Sequence, residues 1–266
     1  MKSKRTSLSL ILVASFLSLA ILSCEGLSNL PNPFATATLT PTSTSTATPT
    51  PSPTPTATIT PTPIPTGVKM EEQPDTSTVF TDYDNQFEVT LPKGWVVIPL
   101  TGKDIAKIIA DLAKQNPDLA GIAKTFQNLD GNVIRAVAIP KDSKYIVSGF
   151  ATNITIVAID SKLLASLPMQ LAVTSLEDSL KQQNAKLISG GDKVINNSHG
   201  VEVGLIDYLQ TTPTSTSSRV QVRTRNIMFV ANNKMILISV VTPKQFGDEL
   251  LPVVNDLIDA VKVPGP

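Results

Sequence analysis

From Thr76 to Pro264 the chain predicts an α+β domain, an antiparallel sheet with helices on both faces. Short runs of alternating apolar and polar residues follow one another through tight turns, which antiparallel pairing permits. Longer stretches with apolar residues every three or four positions interrupt the runs and close the chain, so helices must cover the sheet. The 41% apolar content is also unevenly spread over the 266 residues, so the average describes neither this part nor what precedes it.

The elements follow in order. Thr78 to Tyr83 and Phe87 to Leu91 are strand-like, the second with Phe, Val and Leu alternating with polar residues. Pro92-Lys93-Gly94 is a turn, and Trp95 to Ile98 resumes an extended apolar run. Asp104 to Gln115 places Ile105, Ile108, Ile109 and Leu112 on one helical face. Pro117 ends that helix and can open a second, through Leu119, Ile122, Ala123 and Phe126. Val133 to Ile139 and Ile154 to Ile159 read as strands. Ser166 to Gln183 reads as a helix, with Ser166 as N-cap and Leu171, Leu176 and Leu180 inward. Four strands follow: Lys186 to Ile195, split at Gly190-Gly191, then Glu202 to Gln210, Arg219 to Ala231 and Met235 to Val241. Asn232-Asn233 joins the last two, because Asn tolerates the positive φ of a two-residue hairpin. Pro243 to Val261 predicts the closing helix, with Phe246, Leu250, Val254, Leu257, Ile258 and Val261 inward.

The first 75 residues obey other rules. Lys2, Lys4 and Arg5 precede an apolar run from Leu8 to Leu22 that ends at Ser23-Cys24, the order of an export signal. Fifteen residues fall short of the ~20 that cross a bilayer. The expected division is therefore a leader over residues 1–23, a disordered Thr/Pro-rich tether over 24–75 and the folded domain over 76–264. Ile21-Leu22-Ser23-Cys24 resembles a bacterial lipobox, which implies that Cys24 is diacylated and becomes the new N-terminus. An ordinary secretory signal with an incidental thiol, or an uncleaved anchor, are the alternatives. Two acyl chains matter because each buried CH₂ contributes ~0.8 kcal/mol and one chain alone holds weakly. From Thr36 to Thr66, Thr and Pro are 22 of 31 residues, and no charge occurs between Glu25 and Lys69. Proline removes donors and the apolar residues are too few for a core, so an extended stalk or a plain linker is expected. At ~3.1 Å per residue in polyproline II, the stretch to Asp75 would reach on the order of 150 Å.

Charge and composition exclude several classes. The chain has 22 Lys+Arg against 22 Asp+Glu, which gives none of the basic excess of a nucleic-acid binder. One Cys cannot make an intrachain disulfide, and one Cys with one His does not furnish a zinc site of the usual kind. Neither a nucleophile elbow, a phosphate-binding loop nor a dinucleotide-binding turn occurs. No cofactor is expected.

Phe87-x-Val89-x-Leu91-Pro92-x-Gly94-Trp95 opens the domain, and Asn153-Ile154-Thr155-Ile156 precedes the helix that ends at Gln183. Gly200-Val201-Glu202 leads into a strand, followed by Gln221 to Val230, Met235 to Val241 and the terminal helix. This succession resembles the PsbP-like α/β/α sandwich, shared with the Ran-binding Mog family and with bacterial DcrB- and LpqN-type envelope proteins. The resemblance runs from Thr76 to Val263 and implies a fold and an accessory, binding or assembly role. It implies no reaction.

Isolated chemical signals weigh less. His199 lies in Asn196-Asn197-Ser198-His199-Gly200, which is turn chemistry. Asp82-x-Asp84-x-Gln86 starts like a calcium loop, but Phe87 stands where its Gly belongs and Lys93 where its Glu belongs, so polar residues leading into a strand explain it better. Asp160 reads as a cap, Gly190-Gly191-Asp192 as a bend and Trp95 as a packing residue beside a turn. The expected function is a non-catalytic lipoprotein, held at the extracytoplasmic face of the membrane through Cys24, that binds or assembles an envelope protein or small ligand. A structural surface protein of the envelope, and a hydrolase with an acidic site, are the alternatives.

Overall fold

The computed structural model describes residues 65–100, 133–148, 150–188, 192–213 and 219–264. The leader, Cys24, the Thr/Pro-rich segment as far as Ile64, the two helices expected between Asp104 and Phe126, and the Gly190-Gly191 bend lie outside the described residues.

The domain begins earlier than its sequence pattern does. A strand β1 (Val68–Glu72) pairs antiparallel with β2 (Thr78–Asp82), Val68 opposite Asp82, and β2 pairs with β3 (Phe87–Leu91) to complete a three-stranded sheet. This corrects the boundary at Thr76. The reason is physical: β1 is an edge strand, exposed along most of its length, so Val-Lys-Met-Glu-Glu shows no apolar alternation, and its charges suit an edge that must not recruit another strand.

The main sheet is antiparallel throughout. Its strands are β4 (Trp95–Pro99), β5 (Ile134–Pro140), β8 (Asn153–Ile159), β10 (Val194–Asn196), β11 (Glu202–Pro213), β12 (Arg219–Ala231) and β13 (Lys234–Pro243), ordered β10-β11-β12-β13-β8-β5-β4. Short β9 (Lys186–Leu187) pairs with β11, and β6 (Ile146–Val147) with β7 (Phe150–Ala151). Asn232 and Asn233 have φ of 45° and 58°, as the two-residue hairpin between β12 and β13 demands.

Period-two alternation sorts the strands' side chains onto two faces. On one, Ile154, Ile156, Ile227, Phe229, Ile236 and Ile238 pack with Phe80 and Phe87 of the small sheet and with helix α3 (Leu251–Ala260). Phe87 meets Phe80 at 5.9 Å and Phe229 edge-on at 5.5 Å between ring centroids. Burying each such ring stabilises the fold by about 1.5–3 kcal/mol. On the other face Val137, Val157, Met228, Met235 and Leu237 pack with helix α2 (Met169–Gln182). The class is α+β, mostly sheet with a few helices, and helices lie on both faces of the main sheet.

Two helix readings change. Lys162–Ser166 forms a separate short helix α1, capped by the Ser161 hydroxyl accepting from Leu164 N–H, so Ser166 ends a helix where a start was expected and Asp160 is not the cap. In α2 the buried stripe is Met169, Ala172, Val173, Leu176 and Leu180, and Leu171, one position off it, is exposed. The closing helix is shorter than expected: Pro243 ends β13, and Lys244–Phe246 is a 3₁₀ turn before α3. At Gly204 a Cβ would lie 2.6 Å from Val173 Cγ2, so glycine lets α2 settle onto β11.

Candidate functional site

The Leu-Pro-x-Gly-Trp turn opens onto a groove of about 600 Å³ between the small sheet and α3, within the range of ligand sites. Gly94 sits at φ 75°, a conformation that side chains disfavour, and lets β3 fold back into β4. The reversal lays Leu91, Pro92 and Trp95 along one wall. Trp95 is 7% exposed, opposite Pro140 in β5, and Lys141 N–H donates to Gly94 O at 2.9 Å, which pins the turn to the sheet. The facing wall is α3 and its approach, through Leu250, Val253, Leu257 and Ala260, with Pro140 and Tyr145 between the two.

Carboxylates occupy the margin: Asp75 from the β1–β2 turn, Asp142 from the turn after β5, and Asp256 from α3, against one cation, Lys93. Asp75 accepts from the Ser77 hydroxyl at 2.6 Å and from Ser77 N–H at 3.0 Å, and these bonds lower its pKa. Asp142 accepts from Lys144 N–H at 2.9 Å. The Asp256 side chain makes no hydrogen bond or ion pair with the described residues. Tyr145 is fixed from behind. Its hydroxyl donates to Glu249 Oε1 at 2.7 Å, and its ring meets Phe246 edge-on at 5.2 Å. Lys144 Nζ donates to the same Glu249 oxygen at 2.8 Å. The Lys144 and Tyr145 bonds lower the Glu249 pKa, whereas burial, then that bond, raises the Tyr145 phenol.

At the opposite end of the small sheet, where the chain arrives from its N-terminal segment, the acids are engaged. Asp82, fully buried, accepts from Arg135 Nε at 2.7 Å and Nη2 at 3.0 Å, and from Asn85 Nδ2 at 2.7 Å. Asp84 accepts from Arg135 Nη2 at 2.7 Å and from Gly67 N–H at 2.7 Å; the Gly67 bond is the first cause of its lowered pKa. Asn232 Nδ2 donates to Asp84 O at 2.8 Å and ties in the β12–β13 hairpin. The Asp82-x-Asp84 pattern therefore holds a guanidinium. β1 spans the distance between this end and the groove, roughly 16 Å.

Of the other residues singled out in the sequence, His199 is exposed in its turn, and Asp160 lies 3.9 Å from Lys234 Nζ. The His199 turn is held by Asn197, whose Nδ2 donates to Ile258 O and Val261 O at the end of α3. A second ionic group, Asp207 with Arg223 and Arg225, ties β11 and β12 to the 3₁₀ turn, where Arg225 Nη1 donates to Gly247 O at 2.7 Å. Among the described residues no three His, Cys, Asp or Glu side chains are placed to hold a metal ion, and no helix is long and apolar enough to cross a membrane.

The sequence pointed to Trp95 and its turn. Asp75, Asp142 and Asp256 were missed, because solvated acids in turns and on a helix surface carry no pattern until the chain folds.

No protein-family model matches the chain, and no curated protein sequence matches it. Among solved structures it is similar in fold to the cyanobacterial PsbP of Synechocystis sp. PCC 6803, at 11% identity and TM-score 0.40, over 70% of this chain and 91% of that one. It is also similar to LpqN of Mycobacterium tuberculosis, described as involved in cell envelope biogenesis, at 7% identity and TM-score 0.40, over 74% and 91%. The Ran-binding protein Mog1p of Saccharomyces cerevisiae is similar at 10% identity and TM-score 0.38, over 75% and 96%. These are the groups that the Leu-Pro-x-Gly-Trp turn and the order of elements resemble.

Proposed function

We propose that this protein is a non-catalytic binding module, held at the extracytoplasmic face of a membrane through diacylated Cys24 and a Thr/Pro-rich tether, with the Trp95 groove as its binding site. The observation that carries the reading is where the groove lies. The chain joins the domain at Gly67, beside Asp84, and the groove opens at the other end of β1. A domain tethered by one end offers the other to what it meets. The groove has apolar walls and a polar margin, the composition of a site that captures a ligand by burial and orients it by charge.

The Cys24 lipobox and the basic, apolar, small order of the leader support the anchor, and the Thr/Pro composition supports the tether. The test is direct. In cells expressing the full chain, labelled palmitate should enter the protein and the protein should sediment with membranes. Cys24→Ala should abolish the label and free the protein from the membrane fraction. A Cys24→Ala chain that stays on membranes would remove the anchor from this reading.

A further inference from the structure

We propose that the groove takes an extended, basic, apolar segment of a partner protein, in which Lys or Arg side chains alternate with aliphatic or aromatic ones. This rests on the groove being the binding site, as argued above, and adds the chemistry of its occupant.

Pro92, Val253 and Ala260, half-buried, give the groove apolar walls that reward an apolar occupant through burial, with Trp95 beside them. Its margin carries three carboxylates and one ammonium. Cations offset these carboxylates only in part within the fold, Lys93 acting on Asp75 from a distance and Lys144 on Asp142. Asp75 is bonded by the neutral Ser77. Lys144 Nζ stands 3.9 Å from Asp142 and is committed to Glu249 at 2.8 Å. The Asp256 side chain has no partner among the described residues. The contrast with the far end is direct, because there Arg135 sits on both Asp82 and Asp84. An anionic ligand would meet like charge at the margin, and a neutral one would leave that charge unused. Since the three carboxylates come from three separate elements, a ligand with several cations along an apolar strand answers them better than one with a single cation. Protein segments have that form.

Trp95 is the only tryptophan of the chain and lines the groove, so its emission reports occupancy. The full chain in detergent is titrated with three capped ten-residue peptides that alternate Val with Lys, with Glu or with Gln, and with phenethylamine. The Lys-Val peptide should shift Trp95 emission saturably, with affinity falling as salt rises. The Gln-Val peptide should bind about tenfold more weakly, and the Glu-Val peptide more weakly still, if each margin contact contributes the usual ~0.2–1 kcal/mol of an exposed pair. Asp256→Asn should weaken Lys-Val binding by about 1.4- to fivefold by the same reckoning, while Asp192→Asn, outside the groove lining, should not. Equal affinity for the Lys-Val and Gln-Val peptides would overturn the cationic preference and leave the groove as a binding site. Phenethylamine binding as tightly as the Lys-Val peptide would overturn the choice of a protein segment. No response of Trp95 to any of the four would overturn the groove itself.

Discussion

The two ends of the small sheet both gather aspartates, and they put them to opposite uses. At the end where the chain arrives, Asp82 and Arg135 are both buried, their hydrogen bonds are short, and the neighbouring Asp84 and Asn232 complete the closure. At the other end the carboxylates stay in water around an apolar groove. Paired and buried, an aspartate fixes how two layers sit together. Left solvated beside apolar walls, it is available to something outside the fold.

On that contrast, damage at the closed end should cost the most stability, and damage at the open end should cost less stability and show chiefly in ligand binding. The largest effect belongs to Arg135→Met. Removing the guanidinium leaves Asp82 charged and uncompensated in the interior, which costs about 3–5 kcal/mol and should appear as a large drop in the urea midpoint. Gly204→Val, against α2 on the far face, comes next. Its side chain would enter space held by Val173 and Met169, at a cost of about 1–3 kcal/mol, and Trp95 emission in the folded state should stay unchanged. Gly94→Ala forces a Cβ into a positive φ without meeting any atom within 4 Å, so only the backbone preference of about 1 kcal/mol is lost. It should loosen the groove turn and weaken ligand binding more than it weakens the fold.

Acid is expected to act on both ends through carboxylates whose pKa is lowered by folding: Asp84 at the closed end, Asp75 and Glu249 near the groove. Because the folded values lie below the unfolded ones, their stabilisation is complete above the ordinary carboxylate range near ~4 and fades as pH falls through the lowered values. The urea midpoint should therefore be flat from neutrality to about pH 5 and decline below ~4. Smallest of all is Asp256→Asn, which should leave stability within about 0.5 kcal/mol of the parent.

The sequence showed most of the fold and little of the site. Phe87–Leu91 and Arg219–Ala231 were legible to the residue, because each is an extended run bounded by turn chemistry. β1 was not, since an exposed edge strand needs no apolar alternation. Leu171 misled, because leucine on a helix reads as core, whereas the stripe that meets the sheet runs through Ala172 and Val173. Arg135 left one trace, a lone charge inside Ile134-Arg135-Ala136, but its partners stand 51 and 53 positions away and only the fold joins them. The groove was visible by one wall: Trp95 follows a turn that the sequence marks plainly, whereas α3 reaches it from the other end of the domain.

The central claim, that recognition belongs to the end of the domain away from its tether, is tested most directly by hydrogen exchange on the full chain with and without the Lys-Val peptide. Added protection is expected in the amides of Lys93 to Val97 and Val253 to Ala260, with exchange at Asp82 to Gln86 and Asn232-Asn233 unchanged. Protection centred on Asp84 and Asn232, or on α2, with the groove amides unaffected, would contradict it.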